Sequence, residues 1–549
     1  MPSVLDTVRD LGRLREIAGV LARHGFGELV ARTDLAKLAP WRPGAGETPT
    51  LHTAERLRKV MEELGPTFVK LGQLVSTRPD LIPADIIEEL RRLQDDVPPL
   101  PFDQMRPVIE AQLGAPLSQV YVSFDERPLA SASIGQVYRA RLVTERGEVD
   151  VVVKAQRPNI SETIDRDIDL LYWLAHALER SIPEIQVYCP VKLVAEFDQA
   201  IRAELDYALE ADNAERFAKD FAGLGTVVFP DVHRGASTGK VITLGYIDGK
   251  NVFDAVRQGA SGERIAKNAI EIIIRMIFDH GFFHADPHPG NILITGTPDA
   301  PVLALLDLGL VGHLSPRARD RLIDLVIALG REDPRAIAAA LFALGRPMRK
   351  VDRAAFEAEI AKLTDKYMRK RLGDIPFADV IRDVAGGALR YGIEVPPELL
   401  MVGKAIMTVE GIGRQIYPEL DLARELRPHL AQVVGLRYSP ERITNDLLHL
   451  ATQLSTAASE FPARAEDLLE DMRQGRVRME VRQPSLTQAG ERLGRRLFAA
   501  IGVGSLVLSA AVLFVHGRVF FAFATLAVAV GWGLLHSIAM ALSRNQPPR

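Results

Sequence analysis

A single cysteine, Cys189, occurs among the 549 residues. One thiol can form neither an intramolecular disulfide nor a cysteine-only zinc site, and a reducing cytosolic setting fits such a chain. Charge of either sign is also not in strong excess. The formal net charge is -4, so there is no bulk basic field and no electrostatic reason to expect nucleic acid as a partner. A disorder-type composition is missing too, because 47% of residues are hydrophobic and 25% charged. The opening M-P-S-V-L-D-T-V-R-D has early charges and no apolar core, so a secretory signal is not expected. There is no internal repeat. The length exceeds what one hydrophobic core normally spans, which predicts two or more domains.

Long uncharged runs are confined to the C-terminus. Leu497 to Val515 carries no charge, and after His516-Gly517-Arg518 the run Val519 to Leu542 has His536 as its one ionisable residue. Each run meets the ~20 residues needed to cross a bilayer. The short link predicts a tight helical hairpin of two transmembrane helices within 497–542. Arg492, Arg495 and Arg496 precede it, Arg544 and Arg549 follow it, and Arg518 stands alone in the turn. The positive-inside rule then places both termini and the large domain on the cytoplasmic side of the cell (inner) membrane. A buried hairpin of a soluble protein is the alternative.

Elsewhere the pattern alternates between helix and strand. Leu5, Val8, Leu11 and Leu14 predict an N-terminal helix. A-P-W-R-P-G-A-G-E-T-P-T separates it from a second helical region at 51–96. Strand-like runs lie within 121–154 and 226–247, with helix across 160–222 between them. An apolar helix over 262–281 ends at Gly281, and from Ser315 to about residue 470 the pattern is helical throughout. Residues 473–490 are charged and read as a linker.

The chemistry concentrates in four ordered stretches. Residues 130–137 read A-S-A-S-I-G-Q-V, and V-V-V-K ends at Lys154. This is the frame of a phosphate-covering loop followed by a strand lysine, G-x-G-x-x-G-x-V in protein kinases, with Ala130 and Ala132 in place of the first two glycines. Residues 283–291 read F-H-A-D-P-H-P-G-N, and L-L-D-L-G follows with Asp307 at its centre. Phosphoryl transfer needs these types in this order. Asp286 stands where a base or orienting carboxylate belongs. Asn291, five residues on, offers an amide oxygen to magnesium, and Asp307 a second hard oxygen ligand. The rival reading is a metal site in H-A-D-P-H, with His284, Asp286 and His288 as ligands. His284 as a structural brace for the loop is the blander alternative.

Lys154 leaves an apolar strand and needs a carboxylate partner if buried; a snorkelling lysine is the alternative. The segment E-F-D-Q-A-I-R-A-E-L-D-Y-A-L-E-A-D-N offers candidates, among them Asp206 and Glu210, four apart and so on one helical face. Upstream, G-P-T-F-V-K-L-G-Q-L-V-S-T-R-P predicts a helix from Pro66 to about Arg78. Phe68, Leu71 and Val75 form its apolar stripe and Lys70, Gln73 and Thr77 a polar one. Gly72 weakens that helix, which suggests close approach of another backbone or a ligand.

In this order K-L-G-Q, A-S-A-S-I-G-Q-V, V-V-V-K, E-L-D-Y, H-A-D-P-H-P-G-N and D-L-G resemble the UbiB/AarF family of atypical kinase-like proteins. The resemblance covers roughly 50–440, and the C-terminal hairpin resembles that of bacterial members. It implies an α+β, protein-kinase-like two-lobed fold with extra family-specific helices, and binding of ATP with Mg2+. The expected segments are an N-terminal helical segment (1–45), a helical K-x-G-Q extension (46–120), a small lobe with a helical insertion (121–248), a helical large lobe (249–470), a charged linker (471–496) and the transmembrane pair (497–542). By motif, Lys70, Gly72 and Gln73 form the K-x-G-Q signature and Glu204 and Asp206 the E-x-D signature, and the two are expected to meet over the site. Lys154 contacts nucleotide phosphates and pairs with Glu210. Asp286 is the catalytic-loop aspartate, and Asn291 and Asp307 are the magnesium ligands. Ala130, Ser131, Ala132, Ser133, Ile134, Gly135 and Val137 form the nucleotide loop, with Ser131 where a further alanine is usual. Alanine stiffens such a loop by disfavouring positive φ.

The implied role is support of ubiquinone, or related isoprenoid-quinone, biosynthesis at the membrane bilayer, with lipid-like quinone precursors and other quinone-biosynthesis proteins as partners. No A-P-E, the peptide-platform motif of ordinary kinases, occurs in the thirty residues after Asp307. An ATPase or small-molecule kinase is therefore the leading expectation. A protein kinase acting on a biosynthetic partner and a nucleotide-binding, non-catalytic scaffold are the alternatives.

Overall fold

In G-E-V-D-V-V-V-K-A-Q, Val151, Val153 and Ala155 are fully buried, with Val152 and Lys154 on the other face. That period of two marks a strand with one side on a core. A computed structural model gives the fold. It describes residues 4–27, 53–76, 82–93, 97–181, 189–348, 351–368 and 377–422, together with 424–425, 428–429, 431, 435, 452, 505–506, 509 and 525–532. The chain divides into two compact units, Met1–Arg442 and Ile443–Arg549.

The first unit begins with helices α1 (Val4–Leu21), α2 (Thr53–Leu64), α3 (Pro66–Val75) and α4 (Ala84–Leu90). Pro66 opens α3 at a position that has no N–H to lose. The helix ends at Val75, and Thr77, Arg78 and Pro79 lie outside the described residues. Helix α5 (Phe102–Leu113) sends Met105 and Ile109 into the core beneath a five-stranded antiparallel sheet. The sheet has β1 (Ser123–Phe124), β2 (Ala130–Ser131), β3 (Gly135–Thr144) and β4 (Gly147–Gln156); its last strand, β6 (Val241–Gly245), comes after β5 (Val227–Val228), which joins a different sheet. The order is β1-β3-β4-β6, with β2 pairing β3. Gly147 turns the β3–β4 hairpin at φ 106, a conformation that favours glycine.

Three helices separate β4 from β6: α6 (Ile160–Ser181), α7 (Pro190–Glu204) and α8 (Tyr207–Asp220). The first two are the expected insertion. Their apolar faces, through Ile164, Ile168, Phe197 and Ile201, share one core with Ile17 of α1, Met61 of α2 and Phe68 of α3. Arg13 fastens α1 to this insertion: its Nε donates to Asp167 Oδ1 at 2.9 Å and its Nη2 to the Leu64 carbonyl at 2.6 Å. Within 226–247 the strands are shorter than the sequence pattern suggests, because a turn of 3-10 helix at Arg234–Ala236 intervenes.

The larger lobe contains β7 (Lys250–Asn251), α9 (Gly262–Ile274), β8 (Phe282–His284), β9 (Ile292–Thr297), β10 (Ala300–Leu305) and β11 (Val311–His313). Helix α9 continues through a π-type turn, Arg275–His280, and stops at Gly281, whose φ of 62 makes it the expected left-handed cap. Strands β5-β10-β9-β7 form one sheet and β8 pairs β11. Helices α10 (Pro316–Gly330), α11 (Pro334–Leu344), α12 (Arg353–Met368), α13 (Phe377–Arg390) and α14 (Pro397–Ile416) follow. The expected helical pattern is interrupted among the described residues by a ribbon, and its part beyond residue 422 lies almost wholly outside them. Residues Arg346–Pro347 and Ile393–Glu394 pair as a two-stranded ribbon. Pro347 cannot continue a helix, and Gly392 sits at φ 76. Helix α14 packs on α9, and Val402, Ala405, Val409 and Ile412 join Phe283, Ala285 and Ile292 in the core of this lobe.

Among the described residues no helix is long and apolar enough to cross a membrane. The hairpin expected at 497–542 lies outside them except for 505–506, 509 and 525–532, and the linker at 471–496 lies wholly outside. The stretch 525–532 is helical and leaves Leu526, Val528, Val530 and Trp532 exposed.

Candidate active site

Register decides where Lys154 points. It pairs with Val137 across β3 and with Ile242 across β6, on the face away from Val151, Val153 and Ala155. From there its Nζ reaches Glu210 Oε2 at 2.9 Å and Oε1 at 3.2 Å, and Asp307 Oδ2 at 3.6 Å. Glu210 lies in the first turn of α8, and its side chain is 4% exposed. Lys154 also stands over the ring of Tyr207, 5.1 Å from its centroid. Two carboxylates and an aromatic face therefore surround one ammonium.

Charge follows this geometry. Burial pushes Lys154 down, but Asp307 and Glu210 outweigh it and hold the ammonium well above the usual lysine value. Burial lifts Glu210 to about 7 against the pull of Lys154. Asp307 is held down to about 2, chiefly by Lys154, with help from the Gly309 N–H and the charge of Lys70. Asp307 keeps 47% of its side-chain surface accessible. It stays anionic there, and a cation can reach it.

Asp307 follows β10 directly. Gly309 N donates to its Oδ1 at 3.2 Å, and Asn213 of α8 donates to the Leu308 carbonyl at 2.9 Å. The loop A-D-P-H-P-G-N is tied down on both sides. Ala285 N donates to the Leu310 carbonyl at 3.1 Å and Leu306 N to the Asn291 carbonyl at 3.0 Å. Asn291 Nδ2 faces the Asp286 carbonyl at 3.5 Å. His284 is 1% exposed, and its Nδ1 lies 3.4 Å from the Leu310 carbonyl and 3.3 Å from the Asp286 N–H. Burial keeps its pKa low. His288 Nδ1 accepts from Gly290 N at 3.0 Å. These imidazoles brace turns. Among the described residues no group of three His, Cys, Asp or Glu side chains has the geometry to hold a metal, which corrects the H-A-D-P-H metal reading.

The alanine-rich loop is clamped. Ala130 and Ser131 form β2 against Val137 and Gln136. Arg157 N–H donates to the Ile134 carbonyl at 2.8 Å. The Arg157 guanidinium donates to the Ala132 carbonyl at 2.9 Å, Ser131 Oγ at 2.8 Å and the Pro98 carbonyl at 3.0 Å. Ser133 and Ile134 are buried, Ile134 in the helical core. Neither Ala130 nor Ala132 has a positive φ, so glycine is not needed there for backbone freedom. Gly135 is needed for space: a Cβ at that position would lie 2.6 Å from Tyr207 Oη and 2.7 Å from the Ala155 carbonyl oxygen.

The two upstream signatures meet in part. Lys70 Nζ donates to Glu204 Oε1 at the end of α7. Asp206 does not share a helical face with Glu210, as the spacing suggested. It caps α8, accepting from Ala208 N at 3.0 Å, because a carboxylate before a first turn satisfies an otherwise unpaired N–H. Gln73 Nε2 donates to the Leu93 carbonyl at 3.3 Å. The Gly72 expectation is corrected as well. A Cβ there would meet Leu93 Cδ1 at 2.3 Å and Met61 Sδ at 2.5 Å, so side chains of the helical core, rather than a backbone or ligand, require the glycine.

Sequence reasoning missed two residues. One is Arg157, three positions past Lys154, whose proximity to the loop only the β3–β4 register reveals. The other is Lys404 of α14, whose Nζ lies 2.9 Å from Asp286 Oδ1. Nothing in V-G-K-A-I-M signals that contact over such a separation.

Residues 92–341 match the ABC1 atypical kinase-like domain, and 360–421 match the UbiB helical domain. A protein called probable protein kinase UbiB, from Pseudomonas putida strain W619, is 36% identical over 91% of this chain and 94% of its own. The chain belongs to the UbiB family of atypical kinase-like proteins. Relatives of the same name from Pseudomonas fluorescens strain SBW25 and Xanthomonas euvesicatoria pv. vesicatoria strain 85-10 are 36% and 34% identical, over 84% and 91% of this chain and 87% and 93% of their own. A solved chain from the complex of Rv3197 with erythromycin, from Mycobacterium tuberculosis, is 24% identical, with a TM-score of 0.47 over 68% of this chain and 94% of that one. Family membership accounts for the kinase-like domain. It also accounts for the helical domain whose last helix carries Lys404.

Proposed function

We propose that the chain is a membrane-anchored atypical kinase or ATPase that binds ATP with Mg2+ and supports the biosynthesis of ubiquinone or a related isoprenoid quinone. The observation that carries the reading is Lys154 held between Glu210 and Asp307, with Asp286 and Asn291 on the adjoining loop. Lys154 would contact nucleotide phosphates, and the Ala130–Val137 loop would cover them. Asp307 and Asn291 fit Mg2+, since both offer hard oxygen and Asp307 is an accessible anion. Bound Mg2+ would neutralise charge on the phosphates. Asp286 would orient the acceptor and take its proton.

The acceptor class follows from what surrounds the loop. Only a short segment with one brief strand separates Asp307 from α10, which starts at Pro316, and this leaves little room for a peptide platform. Helix α3 brings Lys70 close enough for its charge to act on Asp307, so the approach is narrowed further. Water or a lipid-like quinone precursor fits better than a protein. The uncharged runs at 497–515 and 519–542, with the exposed apolar helix at 525–532, support anchoring in a bilayer. ATP turnover beside the membrane would help deliver hydrophobic precursors to soluble enzymes.

The relatives' name keeps a protein kinase as the second reading. ADP release from Mg-ATP by the purified full chain, with and without liposomes, tests the leading one. So does quinone-intermediate analysis in a deletion strain complemented with Asp286→Asn. Absence of Mg-ATP binding together with normal quinone levels in the deletion strain would refute it. Phosphate transfer to a partner protein, lost in Asp286→Asn, would favour the second. Full rescue by Asp286→Asn would instead indicate a scaffold.

A further inference from the structure

The segment F-H-A-D-P-H-P-G-N contains neither lysine nor arginine. A catalytic-loop carboxylate without a local cation must be steered from elsewhere. Lys404 reaches it from α14, more than a hundred residues downstream, with its Nζ 2.9 Å from Asp286 Oδ1. Both side chains are partly shielded, 26% and 34% exposed. Among the described residues no other hydrogen bond or ion pair engages the Asp286 carboxylate. The backbone of α14 is fixed, because Val402, Ala405, Val409 and Ile412 are buried with Phe283 and Ala285 in one core. Phe283 and Ala285 sit in the same short segment as Asp286. The helix that supplies the cation thus shares a core with the residues that lead into the carboxylate's loop.

We propose that Lys404 is the positioning residue for Asp286, so that the UbiB helical domain completes the phosphoryl-transfer site. This rests on the reading above. By holding Oδ1, Lys404 leaves Oδ2 turned to the acceptor. The acceptor oxygen forms its bond to the γ-phosphorus while the bond from that phosphorus to the β,γ-bridging oxygen breaks. The electron pair leaves with ADP, and the acceptor's proton passes to Oδ2.

The test measures ADP release and, separately, equilibrium binding of a fluorescent ATP analogue, using the full chain in detergent or vesicles. Lys404→Met should lower kcat about 10- to 100-fold, the scale of a misplaced reacting group, with nucleotide affinity unchanged within about twofold. Lys404→Arg should recover most of the rate, and Asp286→Asn/Lys404→Met should be no slower than Asp286→Asn alone. If Lys404→Met does not fold, Lys404→Gln takes its place with the same readouts. Wild-type turnover with more than half of kcat kept in Lys404→Met, or with losses that multiply in the double variant, overturns the inference and leaves the ATPase reading standing. No ADP release and no nucleotide binding by wild type overturns both.

Discussion

Lys154 donates to both carboxylate oxygens of Glu210, a residue 56 positions further along the chain. The intervening residues contain two helices packed on the N-terminal helices, so the pair is closed by tertiary structure alone. Removing Lys154 alone strands the buried Glu210 carboxylate, whereas removing both leaves only the solvent-accessible Asp307 without its cation. Lys154→Met should therefore cost about 3 kcal/mol of stability, while Lys154→Met/Glu210→Leu should regain most of it. Thermal midpoints of the three proteins check this. Equal midpoints for the single and double variants would contradict it.

Arg157→Ala should free the alanine-rich loop. It removes three charge-assisted bonds, to Ser131, Ala132 and Pro98, worth about 1 to 3 kcal/mol together after solvent competition. Amide exchange at Ser131–Ile134 should rise while exchange in α9 stays unchanged, and nucleotide affinity should fall. Unaltered exchange in the loop would mean that the clamp is not what orders it.

Gly135→Ala should destabilise by about 1 to 3 kcal/mol through overpacking. The added methyl meets Tyr207 Oη and the Ala155 carbonyl. Tyr207→Phe in the same chain should relieve only part of the loss, because the backbone oxygen stays in place. Full recovery would show that the hydroxyl alone sets the limit.

Asp307 makes stability depend on pH in the acid range. Its folded pKa of about 2 lies below its ordinary value of 3.8. The stabilisation is therefore full above that ordinary value and is lost as pH falls through the folded one. The advantage of wild type over Asp307→Asn should be constant above about pH 5 and shrink between about pH 4 and 2. Because Asp307 faces solvent, it should amount to less than about 1 kcal/mol. Midpoint-against-pH curves that stay parallel down to pH 2 would refute the assignment.

What the sequence discloses is local order, and what it withholds is register and tertiary reach. Pro66, Gly281 and the alternation before Lys154 announce their elements because each acts through backbone rules that span a few residues. The pairing of Lys154 with Glu210 was legible through family resemblance and chain order. Asp206 caps its helix instead of sharing a face with Glu210, and spacing alone does not separate a carboxylate just before a helix from one inside it. Gly72 suggests a neighbouring backbone or ligand by sequence, whereas the neighbours that require it, the Met61 and Leu93 side chains, belong to the folded core. Lys404 was invisible for the same reason, since a lysine among apolar neighbours on a helix carries no mark of the loop it meets.

Ile134 gives the molecule a mechanical property. It belongs to the alanine-rich loop by sequence, yet its side chain is anchored in the helical core that includes the Lys70 helix, α3. Lifting α3 away from the cleft must drag Ile134 or tear it from its seat. The alanine-rich segment and the outer helices are therefore geared together, and a displacement of α3 is transmitted through Ile134 to that segment.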